Sequence, residues 1–117
     1  MKKYPKNLSN RIGVFYCLEC HKNDLIKYGV TTNSVETRLV QLNRKHDADF
    51  KIKYLRYSHR SFEFEHRFKT IIGYSSKYKH ECMSLTPDTL NDIVNCINIC
   101  ENSDDIGSVV INEYELT

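Results

Sequence analysis

The chain has 117 residues, about 40% hydrophobic and 27% charged, with a formal net charge of +2, which is enough for one domain with its own core and too little for two. No apolar run approaches the roughly 18 residues that span a bilayer, and no apolar segment follows the basic start Met-Lys-Lys-Tyr-Pro-Lys, so neither a membrane anchor nor a secretory signal is expected. Five cysteines, Cys17, Cys20, Cys82, Cys96 and Cys100, are an odd number without framework spacing, which suits reduced thiols in a cytoplasmic protein, or in the host cell if the source is viral.

The modest net charge hides a strong asymmetry. All 17 Lys and Arg precede residue 101, where only ten of the 15 acids lie, so residues 1–100 carry +7 and residues 101–117 carry −5. A basic block of that size attracts polyanions. A single alanine, Ala48, amid many Lys, Asn, Ile and Tyr fits an AT-rich genome such as that of a phage or virus. Residues 1–10 read as a basic extension, 11–100 as the domain, and 101–117 as an acidic tail.

In chain order, Gly13-Val-Phe-Tyr-Cys-Leu18 and Leu25-Ile-Lys-Tyr-Gly-Val30 are β-branched and aromatic, with turn residues His21-Lys-Asn-Asp24 between them; this predicts a β-hairpin. Asn33 then offers N-cap chemistry with Glu36 three residues on, and Val35, Leu39 and Leu42 follow at helical spacing, so a helix is expected over 34–44. Phe50, Ile52 and Tyr54 alternate with Lys51 and Lys53, the period of a third strand with one basic face. From Phe62, the residues Phe64, Phe68, Ile71 and Ile72 predict a second helix stopped by Gly73. Thr86-Pro87-Asp88 starts a third helix, carried by Leu90, Ile93, Val94 and Ile97 to Cys100. Residues 108–111 could add a strand. The expected fold is α+β, a small antiparallel three-stranded sheet flanked by helices.

The order hairpin, helix, strand, helix, with Gly13-Val14-Phe15-Tyr16 and Lys27-Tyr28-Gly29-Val30-Thr31 in the first two strands, resembles the GIY-YIG nuclease family. Arg38-Leu39 follows seven residues after Thr31, and Phe64-Glu65 with Phe68 resembles the family's glutamate-bearing helix. Glu81-Cys82-Met83-Ser84-Leu85 is similar to a segment of the phage-type branch, which carries Lys-Ile-Gly in place of Tyr-Ile-Gly. The resemblance spans about residues 11–98. It implies a GIY-YIG-like endonuclease that hydrolyses DNA phosphodiesters with one Mg²⁺ or Mn²⁺.

The residues support such a site unequally. Arg38 lies about 60° from Val35 and about 40° from Leu42 on a helical wheel, so it borders the buried stripe; its permanently charged, planar donor fork suits phosphate. Glu65 lies about 20° from Ile72 on the wheel, unlike Glu63, and is the expected metal ligand. The family's tyrosine positions hold Phe15 and Lys27, with Tyr16 and Tyr28 each displaced by one residue, and one residue of displacement reverses the face of a strand. Tyr16, Lys27 and Tyr28 are therefore the candidates for handling the proton. Leu42 stands where the family often has a histidine, which leaves His46 and His59 as possible helpers.

Arg44, Lys45, Lys51 and Lys53 are the expected phosphate contacts on DNA. A zinc site built from Cys17, Cys20, Cys96 and Cys100 is disfavoured, because Cys17 belongs to a strand and Cys96 and Cys100 flank a helix stripe. With little surface beyond a catalytic core, sequence specificity would need a homodimer or a partner protein. The rival expectation is a catalytically impaired nuclease fold that binds nucleic acid or protein. A third expectation is that the acidic tail folds over the basic site and restrains it, which truncation after Cys100 would test.

Overall fold

Strand β1, Gly13–Cys20, is buried along all eight residues, and that explains its unbroken apolar and aromatic run: both of its faces are covered. It pairs antiparallel with β2, Leu25–Thr31, on one side and with β3, Lys51–Ser58, on the other. The computed structural model describes residues 12–72, 82–101 and 109–116.

The sheet has five strands, not the three expected from the sequence. Two short strands add its edges: β4, Cys82–Ser84, pairs with β2, and β5, Val109–Asn112, pairs with β3. All neighbours are antiparallel in the order β4-β2-β1-β3-β5. The α+β class stands; the count differs because strands of three and four residues are too short to display a period of two.

Helix α1, Val35–His46, is capped by Ser34 and not by Asn33: the Ser34 hydroxyl oxygen accepts from the Thr37 amide at 3.1 Å. The helix runs two residues past the expected end and stops at Asp47 in the left-handed region, with φ 48°, where a short polar residue is tolerated. Helix α2 covers Ser61–Ile72 and α3 covers Pro87–Glu101. The expected stop at Gly73 lies outside the described residues, as do the N-terminal extension and Glu81. A short 3-10 turn, Glu113–Leu116, follows β5.

Two apolar clusters sandwich the sheet. Val14, Tyr16 and Leu18 of β1 pack with Val35 and Leu42 of α1 on one face. Phe15 and Cys17 pack with Phe64 and Phe68 of α2 and with Ile93 and Ile97 of α3 on the other. Strand alternation thus sends neighbouring β1 residues to different helices.

One irregularity matters for the site. Cys17 pairs with Tyr54 but Leu18 pairs with Ile52, so Lys53 is a bulge. The bulge leaves Ile52 on the α1 face and turns Tyr54 to the α2 face, although simple alternation places both on one side.

Candidate active site

Both helices that carry candidate residues start at one end of the sheet. Helix α1 follows Thr31, which pairs with Val14, and α2 follows Ser58, which pairs with Gly13. The α2 start is pinned there because the buried Ser61 hydroxyl lies 2.8 Å from the Gly13 carbonyl oxygen and 2.7 Å from that of Ser58. A Cβ on Gly13 would stand 3.1 Å from the Ser61 Cβ. Glycine keeps this approach close without displacing Ser61.

From this end, Arg38 in the first turns of α1 reaches the sheet. Its Nε donates to the Tyr16 hydroxyl at 3.3 Å, and its Nη1 reaches Gln41 Oε1 at 3.5 Å. Tyr16 is 1% exposed, so the phenol fixes the guanidinium from below. Gly29 lies opposite Tyr16 across the ladder and brings no side chain to that face. Lys27, two pairs further along, pairs with Leu18 and is buried on the same face at 7% exposure. Tyr16 and Arg38 are therefore brought together, and Lys27 shares their sheet face.

Tyr28 is not among them. It packs into the opposite cluster, with its ring 4.8 Å from that of Phe68 and 6.3 Å from that of Phe15. Glu65 also belongs to the α2 side. Its side chain is 17% exposed, with Lys69 Nζ at 4.0 Å one helical turn on. Arg38 and Glu65 thus sit on opposite faces of the sheet, near the same end of it, beside two helix N-termini whose dipoles favour anions.

The expected phosphate contacts cluster at the other end. Arg44 and Lys45 are exposed in the last turn of α1. Lys51 is exposed and pairs with Asp49 at 3.4 Å, and Lys53 occupies the bulge. His46 closes the α1 stripe with its ring edge-on to Phe50, centroids 6.0 Å apart. Partial burial and the nearby charges of Lys27, Lys45 and Arg38 hold its pKa below the usual 6.5. His59 lies exposed in the turn before α2.

A second polar group, on the α2 and α3 face, was not anticipated. Arg56 is 5% exposed, with its guanidinium carbon 5.0 Å from the centre of the Phe64 ring and Nη1 3.8 Å from Glu101 Oε1. The Tyr54 hydroxyl donates to the same Glu101 oxygen at 2.7 Å. Nearby, the Tyr114 hydroxyl contacts Cys17 Sγ at 3.4 Å. The one visible sequence signal was Arg56 between Leu55 and Tyr57, a charge inside an apolar strand.

The cysteines divide between the faces. Cys17, Cys96 and Cys100 belong to the α2 and α3 cluster and Cys20 to the α1 cluster. Burial pushes the Cys17 thiol up to about 12. Cys82, on edge strand β4, is half-buried and also raised by burial, with Lys27 opposing the shift.

No family model, curated protein or solved structure matches the chain. Among the described residues, no helix is long and apolar enough to cross a membrane.

Proposed function

We propose that the chain is a GIY-YIG-type endonuclease that hydrolyses DNA phosphodiesters at the sheet end shared by Arg38 and Glu65. The observation that carries this reading is the Arg38 to Tyr16 hydrogen bond, which fixes a guanidinium over the sheet face that also carries the buried Lys27. A permanently charged, pre-positioned donor fork favours the extra negative charge of phosphoryl transfer and needs no reorganisation during the reaction. Tyr16 positions Arg38, and Lys27 supplies a second positive charge on that face.

Glu65 would hold a single Mg²⁺ or Mn²⁺. Among the described residues, no three His, Cys, Asp or Glu side chains gather as an all-protein metal site, and one partly exposed carboxylate fits an ion that draws its other ligands from water and phosphate oxygens. Such an ion, when bound, stabilises charge on the leaving oxygen. The basic end of α1 and Lys51 and Lys53 hold the flanking backbone.

The test is cleavage of supercoiled plasmid. Nicking should require Mg²⁺ or Mn²⁺ and should fall at least 100-fold in Arg38→Ala and in Glu65→Gln. DNA binding without cutting, across both metals and a range of pH, would overturn the nuclease reading. A second reading is then favoured by the placement of Arg38 and Glu65 on helices that cover opposite faces: a nuclease fold that binds nucleic acid without cutting it.

A further inference from the structure

Helix α2 turns one aromatic ring outward. Its Phe64 and Phe68 are buried, whereas Phe62 is 63% exposed. On a helical wheel Phe62 stands about 160° from Phe64 and about 120° from Phe68, so it lies outside the stripe that packs on the sheet.

Phe62 lines an open groove of about 610 Å³ together with Glu63, His66, Arg67 and Thr70, a volume in the range of small-molecule sites. The one acid among these residues is already engaged, because Arg60 Nε and Nη2 donate to Glu63 Oε2 at 2.9 Å and 2.6 Å. Arg67 brings a donor fork to the groove and His66 a donor or an acceptor. The Thr70 hydroxyl donates to the His66 carbonyl oxygen at 2.9 Å, which leaves its own oxygen as an acceptor. The lining is thus one flat apolar surface with polar groups of both kinds around it.

The groove also begins at the sheet end proposed for cleavage. Ser61, whose hydroxyl lies 2.8 Å from the Gly13 carbonyl oxygen, directly precedes Phe62 and fixes the start of the helix. Glu65 follows Phe62 by three residues, about 4.5 Å along the axis and about 60° around it. On the wheel, Phe62 separates Glu65 from the rest of the groove.

We propose that this groove takes an unpaired nucleobase stacked on Phe62, so that the preferred substrate is DNA with an unpaired nucleotide next to the scissile phosphate. This rests on the nucleic-acid reading above and names its substrate class. A nucleobase has a flat apolar face and a polar edge, the same division as the groove. Base–aromatic stacking tolerates any base, because every base has a π-face. In an uninterrupted duplex those faces are covered by neighbouring bases, and a base must leave the stack before a side chain can cover it. A protein partner fits less well, since a single exposed ring among charged and polar residues lacks the apolar centre of a protein interface. The +7 charge of residues 1–100 draws a polyanion to the surface that carries the ring.

The experiment uses the full chain without divalent metal, so that no strand is cut. Affinity is measured by fluorescence anisotropy for a perfect duplex, for the same duplex with one unpaired thymine, and for a thymine single strand. Wild type should bind the bulged duplex roughly tenfold more tightly than the perfect one, the size expected of one base–aromatic stack. Phe62→Ala should bring the two affinities to within about twofold of each other by weakening only the bulged duplex, and Phe62→Tyr should keep the preference because it keeps the ring. Phe62 is exposed, so both variants should fold, as circular dichroism will show. Replacing the unpaired thymine by 5-iodouracil should give a photo-cross-link at Phe62 that is absent when the iodouracil is paired.

Equal binding of the two duplexes by wild type, or a preference that survives in Phe62→Ala, overturns the unpaired-base contact and leaves nucleic-acid binding standing. If Phe62→Ala instead turns a dimer into a monomer in light scattering, the ring belongs to a contact between copies and the proposal is wrong. If neither duplex nor the single strand binds, the nucleic-acid reading and the base contact fail together.

Discussion

Arg38 is tied to Tyr16 by a hydrogen bond of 3.3 Å from its Nε to the phenol oxygen. The two residues are 22 positions apart, on a helix and on the central strand, and the contact sets the direction of the guanidinium over the sheet. Removing only the acceptor isolates its value. Tyr16→Phe keeps the buried ring, so stability should fall by about 1–2 kcal/mol, while nicking should drop at least tenfold because Arg38 loses its anchor. Urea midpoints and initial nicking rates measure the two effects. A Phe variant that cuts at the wild-type rate would reduce Tyr16 to a core residue.

A side chain at Gly13 is predicted to be destabilising. An added methyl would stand 3.1 Å from the Ser61 Cβ and 3.4 Å from Val30 Cγ1, and α2 would have to shift away from the sheet end that carries Glu65. Gly13→Ala should cost about 1–3 kcal/mol, the usual range for overpacking. It should also lower cleavage by more than its effect on the folded fraction. Thermal melts and rates corrected for the folded population test both parts.

The Glu101 carboxylate serves Arg56 and Tyr54 together, at 3.8 Å and 2.7 Å. Glu101→Ala leaves a guanidinium with 6% side-chain exposure without this counter-charge, and the expected loss is about 3 kcal/mol, at the low end for breaking a buried pair because Glu101 itself is partly exposed. DNA affinity should hold at temperatures where the variant is folded, since this network lies on the face opposite Arg38. Denaturant unfolding and a duplex-binding titration give the two readouts.

Alkaline pH should unfold the protein cooperatively. Cys17 is raised from 9.0 to about 12, and Tyr54 and Tyr114 are raised above their usual 10.0, all mainly by burial. Each group binds its proton more tightly when folded, so its contribution is complete below the unfolded pKa and is lost as pH climbs above it. Stability should therefore begin to decline near pH 9 and fall more steeply above pH 10, by up to about 1.4 kcal/mol per pH unit for each group. Phenolate absorbance from Tyr54 and Tyr114 should appear only together with loss of helical circular dichroism. A gradual phenolate signal from all eight tyrosines in a still folded protein would contradict this.

The hairpin, the three helices and the third strand were legible in the sequence because each contains enough residues to show its period. The Ser34 cap was missed by one position because Asn33 and Ser34 have the same capping chemistry, and local sequence does not say which backbone turns first. The edge strand β4 left no readable pattern in three residues, and β5 showed only as a short β-branched run, so both depend on the strand edges they complete.

Sequence alone located the apolar stripes of the helices, because burial follows local spacing, although Phe62 and Ile71 of the expected α2 pattern are exposed and Arg56 is buried. It therefore placed Arg38 beside the α1 stripe and Glu65 beside the α2 stripe. The tertiary structure decided the faces: pairing register puts Tyr16 under Arg38 and sends Tyr28 to the other core, and one extra residue at Lys53 turns Tyr54 toward Glu101. Strand alternation has a period of two, so a single step of register or a single bulge reverses a side chain's face. That reversal is fixed by partner strands distant in the chain, and no local pattern contains it.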